Sequence, residues 1–382
     1  MPLNINKLIS FLIFSITVLL LSSCHQPIKY EQSPRTFSVK PIKNVAMIQV
    51  IADQLTLEEK IAQLFILGFQ GTSYNETLAQ YNDLNIGGVL MFANNIAGSE
   101  EVKTLNETIQ SNAQSIPMFI AVDQEGGRVN RLPSNIPNIE SAYQIGLSGS
   151  TDHAYQSGAF IGKNLKRLGF NVDFAPSLDI WSNPGNKVIG DRSFGQTSQD
   201  VIRYGLPFNK GINEQQIITS AKHFPGHGDT FVDSHDTLPV SNLTLEQLQK
   251  KELMPFKAAI AQNIDMIMVS HILFPDIDAT HPSSLSPKMI QSLLQKQMKY
   301  NGIVITDDLA MGAIKNSYSR EAALTQALNA GETMLLIGSD IGDIKSQIQY
   351  LKVQVETGKI DRKIIEENVQ KILKLKHKYG IV

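Results

Sequence analysis

The chain reads as an α/β protein, a single-domain (β/α)8 barrel of the TIM type with one extra helix at its C-terminal end. Three observations predict this. Eight short apolar runs recur: Leu64–Gly68, Gly88–Phe92, Met118–Val122, Val172–Ala175, Ile217–Ala221, Met266–Val269, Ile303–Ile305 and Met334–Ile337. Longer stretches with helical spacing separate them, among them Leu57–Gln63, Glu101–Asn112, His153–Leu168, Leu245–Gln262, Pro287–Lys299 and Arg320–Asn329. Acidic, basic and imidazole side chains gather just after several of the runs, the end where barrel enzymes build their sites.

Strands that are apolar on both faces, alternating with amphipathic helices, imply a parallel sheet covered by helices. About eight such units in one domain favour a closed barrel over an open doubly wound sheet. No run is followed by a glycine-rich dinucleotide fingerprint, which argues against a nicotinamide-binding domain. Thr56 is placed to cap the helix that begins at Leu57, and Gly169 to close the one ending at Leu168. The segment Arg362–Lys378 is amphipathic and is expected to pack outside the barrel.

Residues 1–23 read as an export signal and not as part of the fold. Lys7 precedes an apolar core from Leu8 to Leu21, and the small residues Ser22, Ser23 and Cys24 follow. Leu21-Ser22-Ser23-Cys24 resembles the lipobox of bacterial lipoproteins, which implies lipidation at Cys24 and an exported, membrane-anchored chain. Cys24 is the only cysteine among 382 residues, so no disulfide forms within the chain. Residues 24–44 contain Pro27, Pro34 and Pro41 among polar residues and read as a tether, leaving 45–382 for the barrel. A net charge of −2 gives no electrostatic case for nucleic acid. The membrane is expected to be met through the lipid anchor only, and the chain to be a monomer.

The densest chemistry follows the fifth run: Lys222-His223-Phe224-Pro225-Gly226-His227-Gly228-Asp229-Thr230, then Asp233-Ser234-His235-Asp236. Pro225, Gly226 and Gly228 break regular structure, so the histidines and aspartates are read as a loop after a strand. The third run leads into Asp123-Gln124-Glu125-Gly126-Gly127-Arg128-Val129-Asn130-Arg131. The fourth leads to Asp179 and on to Gly190-Asp191-Arg192-Ser193-Phe194, the sixth to Ser270-His271, and the seventh to Thr306-Asp307-Asp308.

Asp123–Arg131, Gly190–Phe194, Lys222–His235 and Thr306–Asp308 together resemble the motifs of glycoside hydrolase family 3. The nearest likeness is to its bacterial β-N-acetylglucosaminidase branch, which trims muropeptides, and it runs from about Val45 onward. The resemblance implies retention of anomeric configuration, a glycan substrate, and neither a metal nor an organic cofactor. It also implies roles. Retaining hydrolysis needs a carboxylate nucleophile and a proton donor across the anomeric carbon. Either Asp307 or Asp308 stands rigidly after the seventh strand, and the family pattern favours Asp307. The proton donor is then His235, oriented by Asp233, since histidine titrates near neutrality. Only 75 residues follow Asp307, so the acid must come from the barrel itself.

Asp123, Arg131, Arg192, Lys222 and His223 match the family's substrate-binding positions, and their donor and acceptor capacity suits sugar hydroxyls and an N-acetyl carbonyl. Arg128, Glu125 and Asp191 are read as support, His227 as holding its own loop's backbone, and Trp181 as packing. Ser270 and His271 are left open between ligand and packed strand end. Three rivals stand beside this reading. His223, His227, His235, Asp229 and Asp233 could form a metal site, although the spacing matches no helix-borne HExxH pattern. A lipid-anchored sugar-binding lipoprotein without turnover is a second, and β-glucosidase or β-xylosidase specificity a third.

Overall fold

A computed structural model describes residues 45–382 except 231–233 and 235–236, with side chains from Ile48 onward. The export segment, Cys24, the tether, Asp233 and His235 lie outside the described residues. Eight strands are present: β1 Phe65–Leu67, β2 Gly88–Met91, β3 Phe119–Val122, β4 Val172–Asp173, β5 Ile218–Phe224, β6 Met266–Val269, β7 Ile303–Thr306 and β8 Leu335–Ile337. All neighbours pair in parallel in the order β7-β6-β5-β4-β3-β2-β1-β8. A parallel bridge between Ile305 and Met334 joins the two ends of that order and closes the barrel. Every strand residue is buried, which explains the uninterrupted apolar runs: one face fills the barrel and the other meets the helix layer.

The helices obey local rules that are legible in their ends. Thr56 accepts a bond from the Glu59 backbone while the Glu59 side chain reaches back to the Thr56 backbone, a capping box that starts Leu57–Ala62. At the amino end of the barrel, a single left-handed residue turns each of six helices into the next strand. These are Asn85, Gly169, Gln216, Asn263, Lys299 and Gly331. Glycine and asparagine tolerate that conformation, whereas Gln216 and Lys299 adopt it at a steric cost. The final helix, Arg362–Lys378, lies against Val45–Gln54 and Leu57–Ala62 outside the barrel.

Three elements differ from expectation. The fifth strand does not stop at Ala221 but runs to Phe224, so Lys222 and His223 belong to the strand and not to a loop. Its register against β6 shifts between Ala221 and Phe224, and this irregularity lets polar side chains interrupt an apolar pattern. The stretch Leu245–Gln262 is two helices, Leu245–Lys250 and Leu253–Ala261, broken where Lys251 leaves helical geometry at φ −135°. The stretch after Pro287 winds as a π-helix over Lys288–Gln297, a difference that side-chain periodicity does not reveal.

Candidate active site

At the carboxyl end of the strands lies a cavity of about 250 Å3, walled by residues from β2, β3, β5, β6, β7 and β8 and by the loop after β4. All five expected substrate-binding residues line it, together with Asp307: Asp123, Arg131, Arg192, Lys222 and His223. His227, Ser234 and Asp308 share the wall. Residues distant in sequence thus converge because they stand at the carboxyl ends of several strands or in the loops that follow them.

Lys222 is the electrostatic centre of one wall. Its ammonium lies 2.5 Å from Asp123 Oδ1 and 2.7 Å from Glu125 Oε1, at 3% side-chain exposure. Burial would lower its pKa, and the two carboxylates outweigh burial and raise it, so the group stays charged. Glu125 also receives both arms of Arg192, Nε to Oε2 at 2.9 Å and Nη2 to Oε1 at 2.7 Å. Burial would raise Glu125, but Arg192 and Lys222 hold it well below the usual carboxylate range. Two cations and two carboxylates in one buried network leave little net charge and fix the atoms that face the cavity.

A second wall is built on Asp179, which is fully buried. It accepts the backbone N–H groups of His223 and His227, the latter at 2.7 Å, and the Ser177 hydroxyl at 2.9 Å. The His223 ring adds a 2.6 Å bond through Nδ1. Burial works against the charged form here too, yet the His223 and His227 rings and their hydrogen bonds keep Asp179 well below the ordinary range. An arginine can only donate, so Arg192 Nη2, 3.3 Å from His223 Nε2, makes that nitrogen the acceptor and sends the Nδ1 proton to Asp179. Gly228 completes the packing of this stretch: a Cβ there would lie 1.6 Å from the Ile180 carbonyl oxygen. The loops after β4 and β5 are therefore locked together, with Asn186 Nδ2 donating to His227 O at 2.8 Å.

The two aspartates after β7 are treated differently. Asp308 Oδ1 accepts the backbone N–H groups of Ala310 and Gly338, both at 2.9 Å, and burial raises its pKa. His271 Nε2 must donate to the Asp308 carbonyl at 2.9 Å, which leaves Nδ1 to accept from the Ser284 hydroxyl at 2.7 Å. Asp307 donates its N–H to Val269 O at 2.9 Å, and its Oδ1 accepts the Asp308 N–H at 2.8 Å, on the cavity wall. Both aspartates line the cavity, and Asp308 is the one tied to the backbone of the turn and of Gly338.

Several other residues take places that the sequence left open. Arg128 pairs with Asp191 at 2.8 Å and donates to the carbonyls of Lys187, Val188 and Ile189, holding the loop that carries Arg192. Trp181 packs edge-on against Tyr143, 5.2 Å between centroids, and does not line the cavity. Ser270 and His271 are fully buried and bond to protein atoms, Ser270 to Phe224 O at 3.0 Å. His227 binds side chains as well as backbone, with Nδ1 2.8 Å from the Thr230 hydroxyl and Nε2 3.2 Å from that of Ser234.

Sequence reading assigned no role to Gln124 or Asp173. Gln124 is fully buried; its Oε1 accepts the Arg131 backbone N–H at 2.6 Å and its own N–H donates to Asp173 at 2.9 Å. A glutamine directly after an apolar strand was the available signal. Asp173 is masked within an apolar run, and no pattern would have singled it out.

Of the ligands of the rival metal reading, Asp233 and His235 lie outside the described residues, while His223 and His227 are engaged by other side chains. Among the described residues no three His, Cys, Asp or Glu side chains are grouped to hold a metal ion. The ring nitrogens of His223 and His227 are taken by Asp179, Arg192, Thr230 and Ser234.

A closed parallel barrel with a carboxylate, guanidinium, ammonium and imidazole rim around one cavity defines a barrel enzyme built for a polar substrate. The sequence pattern of the "Glycosyl hydrolase family 3 N terminal domain" matches residues 56–375, and the chain belongs to glycosyl hydrolase family 3. It is 34% identical over 330 residues to a protein named β-hexosaminidase A from Pseudoalteromonas piscicida, covering 80% of this chain and 55% of that one. It is 30% identical over 284 residues to a β-hexosaminidase of Stenotrophomonas maltophilia, 72% of this chain and 83% of that one. The solved structure of a family 3 β-N-acetylglucosaminidase from Paenibacillus sp. str. FPU-7 superposes with a TM-score of 0.84 at 36% identity, covering 86% of this chain and 63% of that chain. The chain therefore spans little more than half of the first of these relatives and most of the second.

Proposed function

We propose that the chain is an exo-acting, retaining β-N-acetylhexosaminidase that removes terminal N-acetylglucosamine from peptidoglycan fragments or related glycans. The names of its relatives support the reaction class. The observation that carries the assignment of chemistry is the contrast at the end of β7: both aspartates line the cavity, but Asp308 Oδ1 is tied to two backbone N–H groups of other turns, those of Ala310 and Gly338. Asp307 attacks the anomeric carbon as the glycosidic bond breaks, forming a covalent glycosyl-enzyme. His235, oriented by Asp233, gives its proton to the leaving oxygen and then takes one from the water that releases the sugar. Asp123 and Lys222 hold ring hydroxyls, Arg131 and Arg192 donate to hydroxyls and to the N-acetyl carbonyl, and His223, whose ring proton goes to Asp179, lines the pocket and positions Arg192. In this reading the chain is exported as a monomer and anchored to a membrane by acylation at Cys24.

Hydrolysis of a chromogenic N-acetylglucosaminide, compared with the matching glucoside and xyloside, tests the specificity. Faster turnover of the glucoside would sink it, and no turnover of any of them would leave a sugar-binding protein. His235→Ala should slow activated aryl glycosides far less than natural ones, because a good leaving group needs no proton. An equal fall for both would remove His235 from the role. Mass spectrometry of muropeptide products, with and without phosphate, identifies the natural acceptor.

A further inference from the structure

A second cavity, of about 400 Å3, opens at the amino end of the barrel, between the turns that enter β6 and β7 and the final helix. Four lysines line it: Lys299 from the turn before β7, and Lys371, Lys374 and Lys378 from one side of Arg362–Lys378. Asp265 is the one carboxylate on the wall, and it is already engaged by Lys378 at 2.5 Å and by the Tyr379 hydroxyl. Among the described residues no carboxylate forms an ion pair within 4 Å of Lys299, Lys371 or Lys374; Glu367, one turn before Lys371, acts on it from a distance and pairs with Lys363 at 3.5 Å.

A helix C-terminus favours cations through its dipole, which accounts for lysines in the last turn. It does not account for Lys371, two turns back, which is half-buried with its pKa lowered by burial. Nor does it account for Lys299, which another element supplies from a left-handed backbone position, φ +58°. Four ammonium groups gathered around a concavity that holds one carboxylate attract a multiply charged anion.

The path of the chain says which anion. Gln370 donates to Gln49 Oε1 at 2.7 Å, so Val45–Gln54 packs against the same helix that carries Lys371, Lys374 and Lys378. Four residues, about 6 Å of helix, separate Gln49 from Val45. From there the 20 residues 25–44 lead back to Cys24. We infer that the lysine cleft docks on the anionic phospholipid headgroups of the membrane that holds the anchor, with the catalytic rim, at the opposite end of the barrel, turned away from the lipid. This rests on the proposed acylation of Cys24. Basic side chains held at such a surface each add to binding and are screened by salt.

The test uses the chain from residue 24 with Cys24→Ser, which keeps every described residue and cannot be acylated. It is sedimented with vesicles of phosphatidylglycerol and phosphatidylcholine and, in parallel, with phosphatidylcholine alone. Binding to the first, not the second, and its release by salt are expected. Combining Lys299→Gln, Lys371→Gln and Lys374→Gln should lower the partition coefficient about a hundredfold, and the exposed Lys374→Gln alone about fivefold. Hydrolysis of a soluble aryl glycoside should not change. Equal binding to both vesicle types, or undiminished binding by the triple variant, overturns the inference. Displacement by inorganic phosphate at matched ionic strength also overturns it, assigning the cleft to a free anion. An unacylated Cys24 in the native protein, read by mass spectrometry, would sink the anchor without altering the vesicle result.

Discussion

Two lysines are buried at opposite ends of the same barrel and live in opposite environments. Lys222, near the carboxyl end of β5, touches two carboxylates and is held in its charged form. Lys376, inserted from the last helix at the amino end, is fully buried against an amide, Gln63 Oε1 at 2.9 Å, and the face of Phe119, 4.9 Å from the ring centroid. Burial drives its pKa well below 10.5. The carboxyl end keeps its buried amine charged by compensating it, whereas the amino end surrounds its buried amine with neutral groups that disfavour the charge. One sheet thus supports chemistry at one end and stability at the other.

That contrast can be broken most severely at Asp307. Asp307→Ala should lower kcat by at least about 10^4-fold while leaving the thermal midpoint close to wild type, measured by aryl glycoside hydrolysis and calorimetry. A large drop in the midpoint instead would make Asp307 a structural residue. Lys222→Met comes next. It strands Asp123 and Glu125 without their shared cation and should cost about 3–5 kcal/mol in denaturant unfolding, along with activity.

Glu252 sharpens the comparison through pH. It lies against Gly226 with Oε2 unpartnered, and burial raises its pKa from 4.5 to about 7. A carboxyl whose folded pKa is raised contributes most below its unfolded pKa, and that contribution is lost as pH rises through about 7. Glu252→Gln should therefore stabilise the protein by about 1–3 kcal/mol at pH 8 and by almost nothing at pH 4. An equal effect at both pH values would refute the account.

The smallest effect is expected at the amino end. Lys376→Met relieves a buried amine but leaves Gln63 Oε1 without a donor, so stability should change by no more than about 1 kcal/mol. Because the folded pKa of Lys376 is lowered, wild-type stability should rise with pH toward 10.5, and the methionine variant should lose that slope. A loss as large as that of Lys222→Met would erase the difference between the two ends.

Much of this was legible beforehand, for a physical reason. The eight apolar runs, the N-cap at Thr56 and the left-handed glycine at Gly169 are local consequences of burial and backbone geometry, and apart from the end of the fifth run they appear where the pattern placed them. The rim residues Asp123, Arg131, Arg192, Lys222, His223 and Asp307 were visible because they fall in the motifs that carry the family resemblance, in polar segments that follow apolar runs. Gln124 and Asp173 were not, since a polar group inside a run has no meaning until its partner is known. Nor was the extension of β5 through Lys222 and His223, whose polarity imitates a loop.

Composition and periodicity determined the number of strands, their burial on both faces, and which polar residues lie at strand ends. Only the closed barrel decided which of those residues share a wall, which of two adjacent aspartates is tied to the backbone of the next strand's end, and which of two buried lysines is held in its charged form. Those outcomes depend on contacts between residues distant in the chain, and burial makes each ionisable group answer to its nearest partners in space and not to its neighbours in sequence.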